Sequence, residues 1–235
     1  MSKMKVSEAV NKKLDELVAA LKKAHGDELV SVLAHGSAVR GGWREGSDVD
    51  LIVVLREASR AALERSANAL QGARWSSRIE AMILVEPEIT RAADVFPVFY
   101  DEIKRSHVVL HGSDPFADLK IERHHLRLRI EQELREAQIR MRRAVVDAQG
   151  NVDQLRGAVA RKIKQVRSPL RALLELDGES TEQELAAVLK AAGKKLGVDA
   201  AALLQVDESP SLAHDALVTL LDKAIAKVDL MEERP

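Results

Sequence analysis

The 235-residue chain contains no cysteine, which excludes a disulfide framework, a thiolate nucleophile, a cysteine-ligated zinc finger and a thiolate-bound iron–sulfur centre. Any metal would have to be held by carboxylates or histidine. Aromatic residues make up only 3% of the chain. They are Trp43, Trp75, Phe96, Phe99, Tyr100 and Phe116, and nothing aromatic follows Phe116. The second half therefore lacks the stacking platform that single-stranded nucleic acid needs, and a nucleic-acid partner is not expected. No apolar run approaches the roughly 18–20 residues that span a bilayer. The N-terminal Met1–Lys5 leads into an amphipathic stretch rather than a signal-peptide core, so a cytoplasmic protein with no membrane partner is expected. Neither sign of charge dominates: 36 basic residues face 37 acidic ones.

What is present is a globular composition, 46% hydrophobic and 31% charged, sufficient for two small domains. Val6, Val10, Leu14, Leu17, Val18 and Leu21 recur at helical spacing, with Ser7 as cap and Gly26 past the end. Leu29–Ala34 and Val49–Leu55 are β-branched and apolar enough for buried strands, and Arg78–Val85 alternates as a third, ended by Pro87. A helix is predicted between the last two, Glu57–Leu70, another over Phe96–Ser106, and a short strand at Val108–Leu110. Turn chemistry at Gly112-Ser113-Asp114-Pro115 sets the expected boundary. Residues 1–116 thus form an α/β (α+β) domain with a mixed sheet, and 117–235 an all-α helical bundle. The bundle's helices are expected near 118–149, 152–176, 181–196 and 211–230, with Pro169 kinking the second and Thr181 and Glu184 forming a capping box for the third.

The chemistry concentrates at the junction of the first two strands. Gly36-Ser37 ends one, and after ten residues Asp48-Val49-Asp50 begins the next. Residues i and i+2 of a strand project to one side, so Asp48 and Asp50 present paired carboxylates on one face. Hard oxygens in this arrangement suit Mg²⁺, which completes its shell with water and substrate phosphates. Two such ions about 3.5–4 Å apart clamp the attacking and leaving oxygens of a phosphoryl displacement. Gly36 lets a phosphate approach the backbone, and Ser37 adds a hydroxyl donor. Glu80, on the side of its strand opposite Ile79, Ala81 and Ile83, is the candidate third carboxylate, for metal or for taking a proton. The alternative for it is an edge-strand charge paired with Arg78 or a nearby lysine.

Gly36-Ser37 followed at this interval by Asp48-Val49-Asp50-Leu51 resembles the signature of the nucleotidyltransferase superfamily, which includes DNA polymerase β and the aminoglycoside nucleotidyltransferases. The resemblance covers about residues 5–116. It implies an α/β catalytic domain followed by a helical one. In it Gly36 and Ser37 bind a nucleoside triphosphate, expected to be ATP. Asp48, Asp50 and Glu80 hold Mg²⁺, with two ions expected. The implied reaction is in-line transfer of a nucleoside monophosphate to an acceptor hydroxyl, with pyrophosphate leaving. The base is either Glu80 or a carboxylate of the helical half. Arg40, three residues beyond Ser37, is placed either at a phosphate or on the helix surface.

The helical half carries one further charge feature. Arg156, Arg161, Lys162, Lys164, Arg167 and Arg171 form a run with no acidic residue between Asp153 and Glu175. Arg156, Lys164, Arg167 and Arg171 fall near one helical face. This is either a solvated face or a site for a polyphosphate or an anionic acceptor, with Lys164 and Arg167 as its candidates. His124, His125, Arg123, Arg127 and Arg129 read as the exposed face of a long helix. The acceptor is open between an aminoglycoside, a protein hydroxyl and a phosphate-bearing small molecule, and a homo-oligomer is compatible with the composition. A nucleotide-binding antitoxin or regulatory module with little transfer activity is the alternative, and an RNA-end nucleotidyltransferase a further one.

Overall fold

The structure is a computed structural model and describes Met4 and residues 6–231, so the reading of Met1–Lys5 falls, Met4 apart, outside the described residues. Two compact units divide the chain. One runs as far as Asp94 and resumes over Tyr100–Lys120; the other takes Val95–Phe99 and continues from Ile121.

The first unit opens with α1, Glu8–His25, whose Ser7 cap accepts a hydrogen bond from the Val10 amide at 3.3 Å. Leu14, Leu17 and Leu21 are its buried stripe, and Lys22 and Lys23 sit in the last turn, where the helix dipole favours cations. Strand β1 is Leu29–His35, α2 is the single turn Ser37–Arg40, and β2 is Val49–Leu55. Then follow α3 (Arg60–Ser77), β3 (Ile79–Val85), α4 (Glu86–Arg91), α5 (Pro97–Arg105), which belongs to this unit only from Tyr100 on, and β4 (Val108–Gly112). The sheet order is β3-β2-β1-β4, with β1 antiparallel to β2 and β4, and β2 parallel to β3. The expected mixed sheet is therefore present.

Central strands β1 and β2 are buried almost throughout, which explains their near-continuous apolar sequence. Val32, Leu51 and Val53 meet Leu14, Leu17 and Leu21 in one core, each fully buried side chain stabilising by about 1.5–3 kcal/mol. Edge strand β3 buries only Ile79 fully, leaving room for polar side chains. Gly112 closes the other edge at φ 79°, where an added Cβ would lie 1.9 Å from the Val30 carbonyl oxygen.

Several local expectations need correction. The helix predicted over Glu57–Leu70 instead begins after Ser59, which caps it through the Ala62 amide, and runs on to Ser77. Strand β3 does stop at Val85, short of Pro87, and what the sequence did not show is that Pro87 lies in the first turn of a further helix, α4, where a missing N–H costs nothing. The first unit extends past the expected 116/117 boundary to Lys120, because Leu119 is buried and its carbonyl accepts a hydrogen bond from Lys104.

The second unit is helical: α6 (Arg123–Ala148), α7 (Val152–Leu176), α8 (Leu185–Leu196), the short α9 (Ala200–Leu204) and α10 (Pro210–Asp229). Helix α6 packs on α7, and α10 packs on both. Ile130, Leu134, Val159, Leu170, Leu217 and Leu221 are among the aliphatic residues of their common core. Pro169 does not split α7, which runs unbroken from Val152 to Leu176 with Pro169 among its buried residues. The predicted capping box of α8 does not form. That helix starts at Leu185 without a side-chain cap, and the Gln183 carbonyl accepts from Arg167 at 3.1 Å, holding the preceding segment outside the helix.

Candidate active site

The site begins where β1 ends. Gly36 leaves the strand at φ 74°, and its carbonyl accepts the amides of Val39 and Arg40, so the chain turns at once into α2. An added Cβ at Gly36 would stand 2.2 Å from Asp50 Oδ2. Glycine is therefore needed here twice, for a left-handed φ and for the close approach of a carboxylate to the backbone.

Strand β2 carries that carboxylate. His35 pairs with Asp50 across the antiparallel ladder, and Asp50 pairs with Glu80 across the parallel one. Partners in register share a face, so Asp50 and Glu80 lie side by side on the sheet. Two positions earlier, each just before its strand begins, stand Asp48 and Arg78. Arg78 donates from Nε and Nη2, each 2.8 Å from Asp48 Oδ1. Arg74, from the last turn of α3, donates from Nε to Glu80 Oε1 at 2.9 Å. The arginine at Glu80 is thus Arg74, and Arg78 serves Asp48. Asp48 and Glu80 keep 50% and 44% of their side-chain surface, leaving both open to exchange partners.

Asp50 is more enclosed. Burial pushes its carboxyl up from the usual value, and the neighbouring Asp48 and Glu80 add to the rise, against His35 and Arg40. Burial likewise lowers His35, against the pull of Asp50 and Glu102. Both shifts favour the neutral forms. Among the described residues, no group of three or more histidine, aspartate or glutamate side chains stands ready as a cage for a metal ion. Asp50 and Glu80, side by side on the sheet with Asp50 half-buried against a glycine, are hard oxygen donors of the kind a divalent ion takes.

Of the remaining candidates, Ser37 opens α2 and is partly exposed. Arg40 is neither an exposed surface charge nor turned to an open site; its guanidinium donates to Glu102 on α5, in a pair that is mostly buried. Trp43 packs beside the core and donates from Nε1 to the Ser47 carbonyl at 3.2 Å, bracing the loop that delivers Asp48.

The basic run in α7 does not form one face. Lys164 is exposed, whereas Arg167 is buried, donating to the Gln183 carbonyl and to Ser168 Oγ. Arg171 is fully buried, its Nη1 2.7 Å from Glu175 Oε2, and Arg156 is held by Asp153. Helix α7 is buried around most of its circumference in this stretch, so its arginines are absorbed into packing. Arg127 of α6 is likewise buried rather than on the exposed face expected for it. Sequence reasoning missed Arg74 and Glu102. Neither has a local signal, since each meets its partner only through the fold.

The Nucleotidyltransferase domain family matches residues 14–139, more than half of the chain. A Methanocaldococcus jannaschii protein whose name provisionally assigns it as a protein adenylyltransferase is 38% identical over 56 residues, which are 24% of this chain and 38% of that one. The match thus spans well under half of that relative's length. The crystal structure of the spectinomycin adenyltransferase AAD(9) from Enterococcus faecialis with ATP and spectinomycin is similar over 91% of this chain and 98% of that chain, at 14% identity and a TM-score of 0.47.

Proposed function

Because the chain belongs to the Nucleotidyltransferase domain family, whose members are enzymes of nucleotidyl transfer, we propose that it transfers the adenylyl group of ATP to an acceptor hydroxyl. The observation that carries the reading is the placement of Asp50 in register with Glu80 and against Gly36, which joins a phosphate-accessible backbone turn to a carboxylate pair. The choice of ATP rests on the relative named as an adenylyltransferase.

In this reading Gly36 and the first amides of α2 receive the triphosphate, with Ser37 adding a hydroxyl donor. Asp48, Asp50 and Glu80 would hold Mg²⁺, which when bound supplies charge neutralisation at the phosphates. The acceptor oxygen attacks the α-phosphorus, the bond to the pyrophosphate oxygen breaks in line, and pyrophosphate departs with that electron pair. Glu80, freed from Arg74, takes the proton of the attacking hydroxyl. Arg40 has a positioning part: anchored to Glu102, it fixes the turn that carries Gly36 and Ser37.

Incubating the protein with each α-labelled nucleoside triphosphate, Mg²⁺ and candidate hydroxyl acceptors, alongside an Asp48→Ala/Asp50→Ala control, tests the proposal. Acceptor-dependent label transfer with pyrophosphate release, absent from the control, is the expected result. Turnover unchanged in the control overturns the site. Nucleotide binding with no transfer to any acceptor or to water favours the regulatory module instead.

A further inference from the structure

Two of the three proposed cation ligands are already engaged by arginine. Arg74 holds Glu80 at 2.9 Å, and Arg78 holds Asp48 with two nitrogens at 2.8 Å. These pairs lie at the end of α3 and the start of β3, and the guanidinium groups remain 54% and 61% exposed. Between them in sequence is Trp75, the most exposed large hydrophobic residue described, at 82%. A large aromatic ring left in water next in sequence to Arg74 has no packing role in the unit.

A divalent ion on Asp48 or Glu80 competes with the guanidinium for the carboxylate's charge, and solvent-exposed ion pairs are weak competitors. Once Asp48 and Glu80 turn to a cation, Arg74 and Arg78 lose their counter-charges while standing next to added positive charge. Each then presents a planar fork of N–H donors, which matches phosphate or carboxylate oxygens in bidentate fashion. Arg74 lies in the last turn of α3 and Arg78 caps that helix, and Arg74 is paired with Glu80, the residue proposed to take the proton of the acceptor hydroxyl. A polycationic acceptor would meet like charge here, whereas an anionic one would restore neutrality.

We propose that Arg74 and Arg78 select the acceptor by exchanging Glu80 and Asp48 for an anionic group of the substrate, so that the acceptor is a hydroxyl compound bearing a phosphate or carboxylate. Trp75 supplies the adjoining apolar contact. The inference rests on the proposed nucleotidyl transfer and narrows it to a class of substrate.

The test is calorimetric titration of the full chain, first with a non-hydrolysable ATP analogue in Mg²⁺, then, with the analogue saturating, with glycerol 3-phosphate, glycerate and the cationic spectinomycin. Binding of at least one anionic probe is expected. Its Kd should rise tenfold or more in Arg74→Ala and in Arg78→Ala, and by less in the Lys variants, which keep the charge without the fork. Phosphate and carboxylate are distinguished by which of the two anions binds. No binding of either anion, equal affinity in the Ala variants, or tighter binding of spectinomycin overturns the proposal while leaving nucleotidyl transfer standing. Failure of the ATP analogue to bind overturns both. Circular dichroism and analogue affinity of each variant identify any that fails to fold.

Discussion

The proposed site of the sheet unit and the long helix α7 of the helical unit use charged residues in opposite ways. In the sheet unit, Asp48 and Glu80 are half-exposed and paired with arginines that are themselves exposed, while Asp50 is pressed against a glycine with its carboxyl pushed up by burial. Those arrangements add little to folding and keep the carboxylates exchangeable. In the helical unit, Arg171 is fully buried on Glu175, Arg167 is buried on a backbone carbonyl, and Asp177 holds both Lys195 and Lys227. There the charge is part of the packing. A basic residue in a long helix therefore says little about ligands until its burial is known.

Substitutions that separate activity from stability would break or sharpen this contrast. The largest effect is expected from Asp50→Asn, which should lower nucleotidyl transfer by about a thousandfold or more, the scale of removing a group that organises developing charge. Its urea midpoint should hold or rise, since burial disfavours the native carboxylate. Arg171→Ala should do the reverse. Leaving Glu175 without its buried partner costs about 3–5 kcal/mol, read by urea unfolding, with the rate per folded molecule unchanged.

Gly36→Ala should affect both properties. The strained φ and the clash with Asp50 should cost about 1–3 kcal/mol and reduce transfer, with a measurable shift in thermal midpoint. The smallest effect concerns acid. His25 is buried with neither ring nitrogen hydrogen-bonded, and burial lowers its pKa below the ordinary 6.5. The unfolded chain thus binds its proton first, so this stability is fully present above pH 6.5 and is lost as pH falls toward the lowered value. Asp177 follows the same sign in a lower window. Burial raises it, but the hydrogen bonds from Lys195 and Lys227 prevail and set it below 3.8, so its contribution is lost only below that pH. The sheet unit should soften on acidification before the helical one, as followed by hydrogen exchange, and His25→Leu should flatten the upper window by roughly 1 kcal/mol.

Much of the fold was legible because it is written in local periods. Ser7 and Gly26 bound α1 as their chemistry requires, and β1 and β2 show as apolar runs because central strands are buried on both faces. Thr181 misled because its capping pattern is local, whereas the Gln183 carbonyl was claimed by Arg167, 16 residues away in sequence. Glu80 was identifiable by parity along its strand. Its actual counter-ion was not, since Arg74 reaches it from the end of a helix that runs seven residues beyond its predicted stop at Leu70.

By itself the sequence determined the strand, the glycine turn and the alternating aspartates, since backbone conformation and side-chain parity depend on neighbours within a few residues. It also determined that the second half is aliphatic and helical. Only the tertiary structure decided which charges face water and which are buried. It set Asp50 beside Glu80 through the parallel pairing of β2 and β3, anchored Arg40 on a glutamate 62 residues later, and enclosed Arg167 and Arg171. Electrostatics and desolvation act across space, so a charge acquires its role only when the fold has chosen its surroundings.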